Sequence, residues 1–302
     1  MKAVAINEKG SLDNIRIEDV PKPIITPNKL LIKVKACGLN PVDWKGVELG
    51  FFEMPYVLGT DISGIVEEVG SETSKFSIGD EVIGSLEWSK QGAFAEYIIS
   101  EEKYISKKPI NLNFEEAAGV PLASLTAWQG LFDKLELKAG EKILIQAAAG
   151  GVGLFAIQFA KMIGAHVVAV ASKKNEELVK SFGAEEVIDY TQVDLKTIAN
   201  DFDAVFDSMA TAPLLIPHIK HGGRYISITA KPDQELAEKH GVKASNFLFY
   251  SDHNQLDEIV GLIEKRKIKI ILDQLFPLDE AKNALIFQKK GHSRGKNILL
   301  IN

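Results

Sequence analysis

The sequence predicts an α/β protein with two domains, in which a β-rich domain accompanies a doubly wound parallel sheet. Three observations indicate this class. The chain has 302 residues, enough for two domains. Near residue 115 short strands give way to alternating strands and helices. A glycine-rich turn then joins a strand to a helix at 142–153.

The first 110 or so residues are predicted to form the β-rich domain. Its short apolar runs are separated by glycine and proline turns, which is typical of strands. Strands are predicted in MKAVAI, KLLIKVKACGL, GIVEEVG, DEVIGSL and AEYIIS. The segment EEAAGVPLASLTAWQGLFDKL then predicts a helix, with Pro121 as its start or a kink.

Alternating strands and helices follow, and they predict a parallel sheet with helices on both faces. The strands are expected at 142–147, 166–172, 186–190, 203–208 and 223–229, with helices beginning near 151, 174 and 212. The run SNFLFY at 245–250 predicts a sixth strand, and NQLDEIVGLIEKRKI predicts a helix. The tail KNILLIN predicts a strand that returns to the β-rich domain. The expected domains are therefore 1–116 with 268–302, and 117–267.

Composition excludes several classes of protein. The net charge of −6 argues against nucleic-acid binding, and no apolar run is long enough to span a membrane. The sequence MKAVAINEKGS lacks the features of a signal peptide. Cys37 is the only cysteine, so an intrachain disulfide and a thiolate zinc cluster are both excluded. We expect a cytoplasmic protein, since a reducing compartment fits this composition.

The segment KILIQAAAGGVG at 142–153 resembles a dinucleotide-binding turn, because a strand runs into glycines and then into a helix. Gly150 allows a tight turn, and Gly151, Val152 and Gly153 begin the helix whose N–H groups can approach a pyrophosphate. Ala147 stands where the first glycine of G-x-G-x-x-G would be. A tight turn that binds nothing is the alternative. The strand and helix around the turn favour a nucleotide cofactor, and hence hydride chemistry.

The end of the second strand of this unit indicates which nucleotide would bind. NAD-binding proteins usually carry Asp or Glu about twenty residues after the glycines. This chain has Ser172, Lys173 and Lys174 there, while Glu176 and Glu177 come later, inside the next helix. A hydroxyl and two ammonium groups attract a 2′-phosphate, so the sequence predicts NADPH rather than NADH. The alternative is a solvated helix start without an anion partner.

Nearly the whole chain resembles the zinc-independent quinone oxidoreductases of the medium-chain dehydrogenase/reductase superfamily. The motifs that carry the resemblance are ACGLNPVDWK at 36–45, LGTDISGIVEEVG at 58–70, IGDEVIG at 78–84, GAFAEY at 92–97, PLASLTAWQGL at 121–131, AAAGGVG at 147–153, FGAEEVIDY at 182–190 and GHSRGKNIL at 291–299. The resemblance implies a GroES-like β domain, a Rossmann domain, NADPH, and reduction of quinones or α,β-unsaturated carbonyls.

Zinc-dependent members of the superfamily carry a Cys ligand where this chain has Asn40, and a His ligand where it has Thr60. Neither Asn nor Thr is a usual zinc ligand, so no metal is expected. Reduction of an enone without zinc needs other donors for the oxygen on which negative charge develops.

The resemblance implies three catalytic candidates. Asn40 is expected near the nicotinamide; its alternative role is to start the turn at Pro41. Lys45 could donate to the enolate oxygen, or be a solvated surface lysine. Asp43 could orient Lys45, or cap the following turn.

Further cofactor contacts are implied for Thr126, Tyr190 and Phe249. Thr126 matches a threonine at the nicotinamide ribose, and its alternative is a bond back to its own helix. Tyr190 matches a tyrosine near the adenosine phosphate, but could be an ordinary strand-end residue. Aromatic rings at Phe51 and Phe52, where some relatives have a tyrosine, predict an apolar substrate pocket.

The partners expected are a quinone or enone substrate and a second copy of the chain. Relatives pair through the edge of the Rossmann sheet, which here is expected to be SNFLFY. Two other functions stay open. One is an NADPH-binding redox sensor or structural protein with little turnover. The other is reduction of saturated carbonyls, which the missing zinc disfavours.

Overall fold

The computed structural model describes residues 1–87 and 92–301, and the chain forms two compact units. The first contains Met1–Leu122 and Ser251–Asn302, and the second contains Ala123–Tyr250. These limits differ from the expected ones, because 117–122 and 251–267 group with the first unit. Asn302, the last residue of the predicted tail strand, lies outside the described residues.

The strands are β1 (Lys2–Ile6), β2 (Ile15–Asp19), β3 (Leu30–Gly38), β4 (Tyr56–Val57), β5 (Asp61–Val69), β6 (Glu81–Ser85), β7 (Tyr97–Ser100), β8 (Ile105–Lys107), β9 (Lys142–Ile145), β10 (His166–Ala171), β11 (Glu186–Asp189), β12 (Phe202–Asp207), β13 (Ile219–Ser227), β14 (Lys243–Asn246), β15 (Leu272–Pro277) and β16 (Lys296–Leu300). The α-helices are α1 (Pro41–Leu49), α2 (Phe114–Ala118), α3 (Pro121–Trp128), α4 (Gly151–Met162), α5 (Glu176–Ser181), α6 (Ala212–Leu215), α7 (Gln234–His240), α8 (His253–Glu264) and α9 (Ala281–Lys290). A π-helical turn, Gln129–Lys134, continues α3.

The first unit is built from two sheets. The larger has the order β15-β16-β3-β5-β6-β8, with β7 also paired to β3, and the smaller has the order β2-β1-β4. The tail strand β16 pairs antiparallel with β3, so that Leu299 lies opposite Cys37. This confirms that the tail returns to the β-rich unit. Buried side chains of β3, β5, β6 and β7 form much of its core, together with Leu58 and Phe94.

Helix α8 belongs to the first unit, although the sequence pattern placed it with the parallel sheet. Its two ends are bonded to the segment around β8. Ser106 Oγ donates to the carbonyl of His253 (3.3 Å), and Asn111 Nδ2 donates to the carbonyl of Ile263 (3.0 Å). The apolar face of α8 includes the buried Leu256, Ile259 and Ile263. Periodicity predicted the helix correctly, but it carries no information about which sheet that face covers.

The second unit contains the predicted parallel sheet. Its order is β11-β10-β9-β12-β13-β14, and every neighbouring pair is parallel. In chain order this is 3-2-1-4-5-6, the arrangement of a doubly wound dinucleotide-binding fold. The central strands have nearly continuous apolar sequences, such as Val167–Ala171 in β10, and those residues are all buried. The predicted fold class is therefore confirmed.

The sixth strand lies earlier in the sequence than predicted. β14 is Lys243–Asn246 and pairs with β13, so only the first two residues of SNFLFY are in a strand. Of the aromatic residues that follow, Phe247 still donates its N–H to the carbonyl of Ser227 in β13 (3.1 Å), whereas Tyr250 is held to the π-helical turn. Gln129 Nε2 donates to the carbonyl of Tyr250 (2.8 Å), and the Tyr250 N–H donates to Gln129 Oε1 (3.1 Å). The strand prediction was wrong at this end of the segment, because the Gln129 side chain bonds the N–H and C=O of Tyr250 that a neighbouring strand would otherwise have paired.

Candidate functional site

The glycine turn follows β9, the strand at which the order of the parallel sheet reverses. This is the place where doubly wound sheets bind their ligands. Ala147 takes a left-handed conformation, with φ 51°, and its N–H is bonded to Gln146 Oε1 at 3.0 Å. The N–H of Ala148 donates to the carbonyl of Val170 in β10 (3.1 Å). The turn is thus fixed by its own residues and by the neighbouring strand.

Helix α4 starts directly from this turn. A Cβ on Gly153 would lie 2.6 Å from the carbonyl oxygen of Ala147 and 2.7 Å from the backbone of Ala148. Only glycine allows the helix to start so close to the strand. Because the first N–H groups of a helix have no carbonyl one turn earlier, those of Gly151, Val152 and Gly153 are available to a ligand. The turn fits a pyrophosphate.

The lysine segment lies at the same edge of the sheet, at the carboxyl end of β10. Ser172 precedes a single turn of 3₁₀ helix, Lys173–Asn175, and α5 follows it. The Lys173 side chain is 79% exposed, and its Nζ lies 2.5 Å from Glu176 Oε2. Glu176 is the first residue of α5, as the sequence places it in the next helix, but its ion pair with Lys173 is not evident from the sequence. The structure therefore adds a carboxylate to the segment Ser172, Lys173 and Lys174, whose contact with a cofactor stays a prediction.

The other predicted cofactor contacts lie in different parts of the second unit. Tyr190 follows β11 and is half-exposed, at the same carboxyl edge as Ser172. Thr126 is buried within α3. Phe249 lies in the segment after β14 and is partly buried. Their assignment to the cofactor stays a prediction.

In the first unit, Asn40 is the centre of a buried polar network. Its Oδ1 accepts from Lys296 Nζ (2.5 Å), and its Nδ2 donates to Asp61 Oδ2 (2.9 Å) and to the carbonyl of Gly38 (3.2 Å). Asn40 is 2% exposed. Its amide is therefore largely used by the protein itself, and Asn40 acts more readily as a structural link than as a donor to a ligand.

Asp61 and Lys296 are the charged partners of Asn40. Their Oδ2 and Nζ atoms are 3.5 Å apart, and their side chains are 0% and 5% exposed. Burial raises the pKa of Asp61, an effect that Lys296 opposes, and burial lowers the pKa of Lys296, an effect that Asp61 opposes. Further bonds support both charges: the Leu122 N–H donates to Asp61 Oδ1 (3.0 Å) and Lys296 Nζ donates to the carbonyl of Leu39 (3.0 Å).

Among the described residues no hydrogen bond or ion pair joins Asp43 to Lys45, so the role of orienting that lysine is not supported. It lies at the third position of α1, where its Oδ2 accepts the N–H of Asn40 at 2.7 Å. The alternative, a cap of the following turn, is what the structure shows. Asp43 is fully buried, and its Oδ1 has no hydrogen-bond partner among the described residues. Burial raises the pKa of Asp43 to about 8.

The two positions that bind zinc in the metal-dependent relatives are occupied by side chains bonded to each other. Asn40 Nδ2 lies 3.3 Å from Thr60 Oγ1. Amide and hydroxyl groups are poor zinc ligands, and these two already have protein partners. Within residues 1–87 and 92–301 no three His, Cys, Asp or Glu side chains are arranged to hold a metal. The residues at these positions do not fit zinc.

Lys45 projects from α1, one turn beyond the network. Its Nζ lies 5.6 Å from the centroid of the Trp44 ring, and in the described part of the chain it has no hydrogen-bond or ion-pair partner. The same ring has Lys289 Nζ at 5.7 Å, which is paired with Glu48 at 2.6 Å. Of the two lysines at the Trp44 ring, Lys289 is paired with a carboxylate, so Lys45 is the one whose ammonium is available to a ligand.

The two phenylalanines expected in a substrate pocket have different environments. Phe52 is 3% exposed and belongs to the core, where its ring stacks on Tyr56 at 4.2 Å between centroids. Phe51 is 52% exposed. The prediction of an aromatic pocket is therefore wrong for Phe52, and Phe51 alone is accessible.

Sequence reasoning missed Lys296 and Asp61 as members of the site. Each lies at the first position of a strand otherwise rich in apolar residues, β16 and β5. A lysine and an aspartate that begin buried strands are a weak signal, because such positions are usually exposed strand ends.

Asp207 is a further residue that the sequence did not indicate. It accepts hydrogen bonds from Tyr225 Oη and from the N–H groups of Met209 (2.6 Å) and Thr211 (2.5 Å). These bonds fix the loop after β12, next to the glycine turn.

Comparison with known proteins agrees with this geometry. The family model described as alcohol dehydrogenase GroES-like domain matches residues 26–110, and that described as zinc-binding dehydrogenase matches residues 182–299. The 2-methylene-furan-3-one reductase of Solanum lycopersicum is 36% identical over 99% of this chain and 79% of its own length. The NADPH-dependent alkenal/one oxidoreductase of Arabidopsis thaliana is 35% identical over the same shares. The solved quinone oxidoreductase of Coxiella burnetii has a TM-score of 0.93 at 33% identity, covering 100% of this chain and 99% of its own.

The chain belongs to the zinc-independent quinone oxidoreductase and enone reductase family. Its first unit is thus the GroES-like domain, and its second is the Rossmann domain of this oxidoreductase. The word zinc in one family description applies to other members of the superfamily, since Asn40 and Thr60 stand at the ligand positions here.

We expect Lys296→Met to lower the free energy of unfolding of the oxidoreductase by about 3–5 kcal/mol, because Asp61 would keep a buried charge without its cation. Urea unfolding followed by circular dichroism measures this. Lys282→Met is the matched control: Lys282 pairs with Asp13 at the surface (2.6 Å), and its loss should cost less than about 1 kcal/mol. The double variant Lys296→Met/Asp61→Asn should recover part of the loss. A Lys296→Met protein as stable as the wild type contradicts the assignment.

The raised pKa of Asp43 predicts that stability falls with rising pH. The folded protein holds the Asp43 proton to about pH 8, whereas the unfolded chain releases it near pH 4. Folding therefore takes up a proton between these values, and stability decreases by up to about 1.4 kcal/mol per pH unit. Asp43→Asn cannot ionise, so its stability should fall less steeply between pH 6 and pH 8. Urea unfolding at pH 6, 7 and 8 tests this, and parallel curves for the two proteins would show that Asp43 does not titrate in this range.

Proposed function

We propose that this protein is an NADPH-dependent oxidoreductase that transfers a hydride to a quinone or to the β-carbon of an α,β-unsaturated carbonyl, without zinc. The observation that carries the proposal is the glycine turn at the reversal point of the 3-2-1-4-5-6 sheet, with a lysine segment after the adjacent strand. The names of the relatives supply the substrate class, because they include an alkenal/one oxidoreductase and quinone oxidoreductases.

NADPH, when bound, supplies the hydride. The N–H groups of Gly151, Val152 and Gly153 hold the pyrophosphate, and Ser172, Lys173 and Lys174 hold the 2′-phosphate. Tyr190 would line the adenosine end and Thr126 would meet the nicotinamide ribose, with Phe249 as a further contact to the cofactor.

On the substrate side, Lys45 donates to the oxygen on which negative charge develops. An ammonium with no ion-pair or hydrogen-bond partner in the described part of the chain is suited to this, because no neighbouring carboxylate there neutralises its charge. Asn40 and Asp43 act by fixing the start of α1, from which Lys45 projects. This revises the sequence-based set, in which all three residues were catalytic.

An NADPH-oxidation assay separates this proposal from the alternative, an NADPH-binding sensor or structural protein with little turnover. NADPH oxidation is measured with quinones, short enones and saturated carbonyls. Turnover of quinones or enones is expected. Binding of NADPH without turnover of any substrate favours the alternative.

We expect Lys45→Met to lower kcat for an enone by about tenfold to a thousandfold, with little change in NADPH affinity. Methionine keeps most of the packing of the lysine stem and removes the charge. Lys289→Met is the control, because Lys289 contacts the same Trp44 ring but is paired with Glu48. Its kcat should stay within about twofold of wild type. An unchanged kcat in Lys45→Met would show that Lys45 is not the donor.

The lysine segment predicts a preference for NADPH over NADH. Lys173→Glu with Lys174→Glu should weaken NADPH binding strongly and leave NADH binding nearly unchanged, since only NADPH carries the 2′-phosphate. Fluorescence titration with each cofactor measures both affinities. Equal affinities in the wild type would contradict the assignment.

We also propose that the protein forms a homodimer through the edge of the parallel sheet at β14. An unpaired strand edge favours pairing with another copy, and the exposed Leu248, 73% accessible, follows that strand. Light scattering at micromolar concentrations should give twice the 33.1 kDa chain mass. A monomeric mass at every concentration would rule this out.

A cytoplasmic location stays a sequence-based prediction, and several relatives are named as chloroplastic or mitochondrial. In the described residues no helix is long and apolar enough to cross a membrane.

A further inference from the structure

Glu176 lies between two lysines at the carboxyl end of β10. Its Oε2 is 2.5 Å from Lys173 Nζ, and its Oε1 is 2.7 Å from Lys180 Nζ. The bonds from Lys173 and Lys180 hold the pKa of Glu176 at about 2. The carboxylate is therefore ionised throughout the neutral range, and both of its oxygens are occupied.

A second carboxylate faces Lys173 from the neighbouring strand. Asp189 ends β11 and lies opposite Ala171 in the register with β10. Its pKa is lowered chiefly by bonds from Thr191, and also by Lys173. Two carboxylates, those of Glu176 and Asp189, therefore attract the Lys173 ammonium. A 2′-phosphate approaching Lys173 must displace one of these interactions and is repelled by both carboxylates.

We propose that Glu176 is a specificity-determining residue, which competes with the 2′-phosphate of NADPH for Lys173 and so limits the preference for NADPH over NADH. The inference rests on the proposed function, in which Ser172, Lys173 and Lys174 receive that phosphate. NADH carries a hydroxyl at this position and does not need Lys173 to be released. Glu176 therefore weakens NADPH binding selectively.

Lys173 can exchange Glu176 for a phosphate at small cost, because Glu176 keeps its second ion pair, with Lys180. When Lys173 turns to the phosphate, Lys180 still balances the charge of Glu176. Lys173 is 79% exposed, so its side chain can move without breaking core packing. Exposed ion pairs of this kind contribute about 0.2–1 kcal/mol, which corresponds to at most about a fivefold change in an affinity.

The test is the affinity of Glu176→Gln for NADPH and for NADH, measured by fluorescence titration. NADPH should bind about two- to fivefold more tightly than to the wild type, while NADH affinity stays unchanged. The salt dependence of NADPH binding should also become steeper, because Lys173 then meets the phosphate with its full charge. Glu176→Ala should likewise tighten NADPH binding and leave NADH affinity unchanged, so the test does not depend on how the new amide is bonded.

Glu185→Gln is the matched control. Glu185 pairs with Lys161 in the same domain, but it precedes β11 and so lies at the opposite edge of the sheet. The variant removes the same charge and should leave both affinities unchanged. Equal gains in Glu185→Gln and Glu176→Gln would reduce the effect to overall charge and overturn the proposal.

Lys173→Met separates this proposal from the proposed function. In Lys173→Met/Glu176→Gln the gain from Glu176→Gln should disappear, because the lysine that was released is absent. If Lys173→Met weakens NADPH binding but Glu176→Gln does not strengthen it, the role of Glu176 is wrong and the phosphate site stands. If Lys173→Met leaves NADPH affinity unchanged, the phosphate site itself is wrong and the proposal fails with it.

Discussion

The buried ion pair of Lys296 and Asp61, joined through the amide of Asn40, is the interaction on which the GroES-like domain depends. The three side chains are between 0% and 5% exposed, so each polar atom must find its partner in the protein. The partners come from distant parts of the chain: the final strand, the start of α1 and the start of β5. None of these segments can shift without leaving a charge uncompensated. A close approach is needed as well, since a Cβ on Gly38 would lie 3.1 Å from Asp61 Oδ2 and 2.4 Å from the carbonyl oxygen of Ala118.

This constraint also determines how Lys45 is presented. Asn40 is the residue before α1, and Asp43 bonds its N–H from within the first turn. The network therefore fixes where the helix begins and in which direction Lys45 projects from it. Asn40 was predicted to contact the nicotinamide, but its amide is already bonded on both sides. Asn40 therefore has a structural role: it links the buried Lys296 and Asp61 to the start of α1.

How much the sequence could predict depends on the range of the interaction concerned. The parallel strands and the turn at 147–153 were predicted correctly, because apolar runs and glycines are local signals. The end of β14 and the packing of α8 were not, since Gln129 and the β8 segment lie far along the chain from the residues they bind. Lys296 and Asn40 are 256 residues apart, and no periodicity connects them. The role of Asp43 was open between two alternatives, and the bond that it accepts from the Asn40 N–H decided it.

The buried network around Lys296 and the surface pair of Lys173 and Glu176 differ in how freely their charged side chains can change partners. In the first, an ammonium and two carboxyls are fully buried, and exchanging partners would leave a charge without compensation; such a group can hold a helix in place but cannot respond to a ligand. In the second, Lys173 and Glu176 are paired at the surface, where each can take another partner at small cost. Recognition of a phosphate requires that freedom, because the lysine must leave one anion to bind another. The consequence of this freedom is that the Glu176 carboxylate competes with the ligand for Lys173, and the strength of that competition is set by this one side chain at the start of α5.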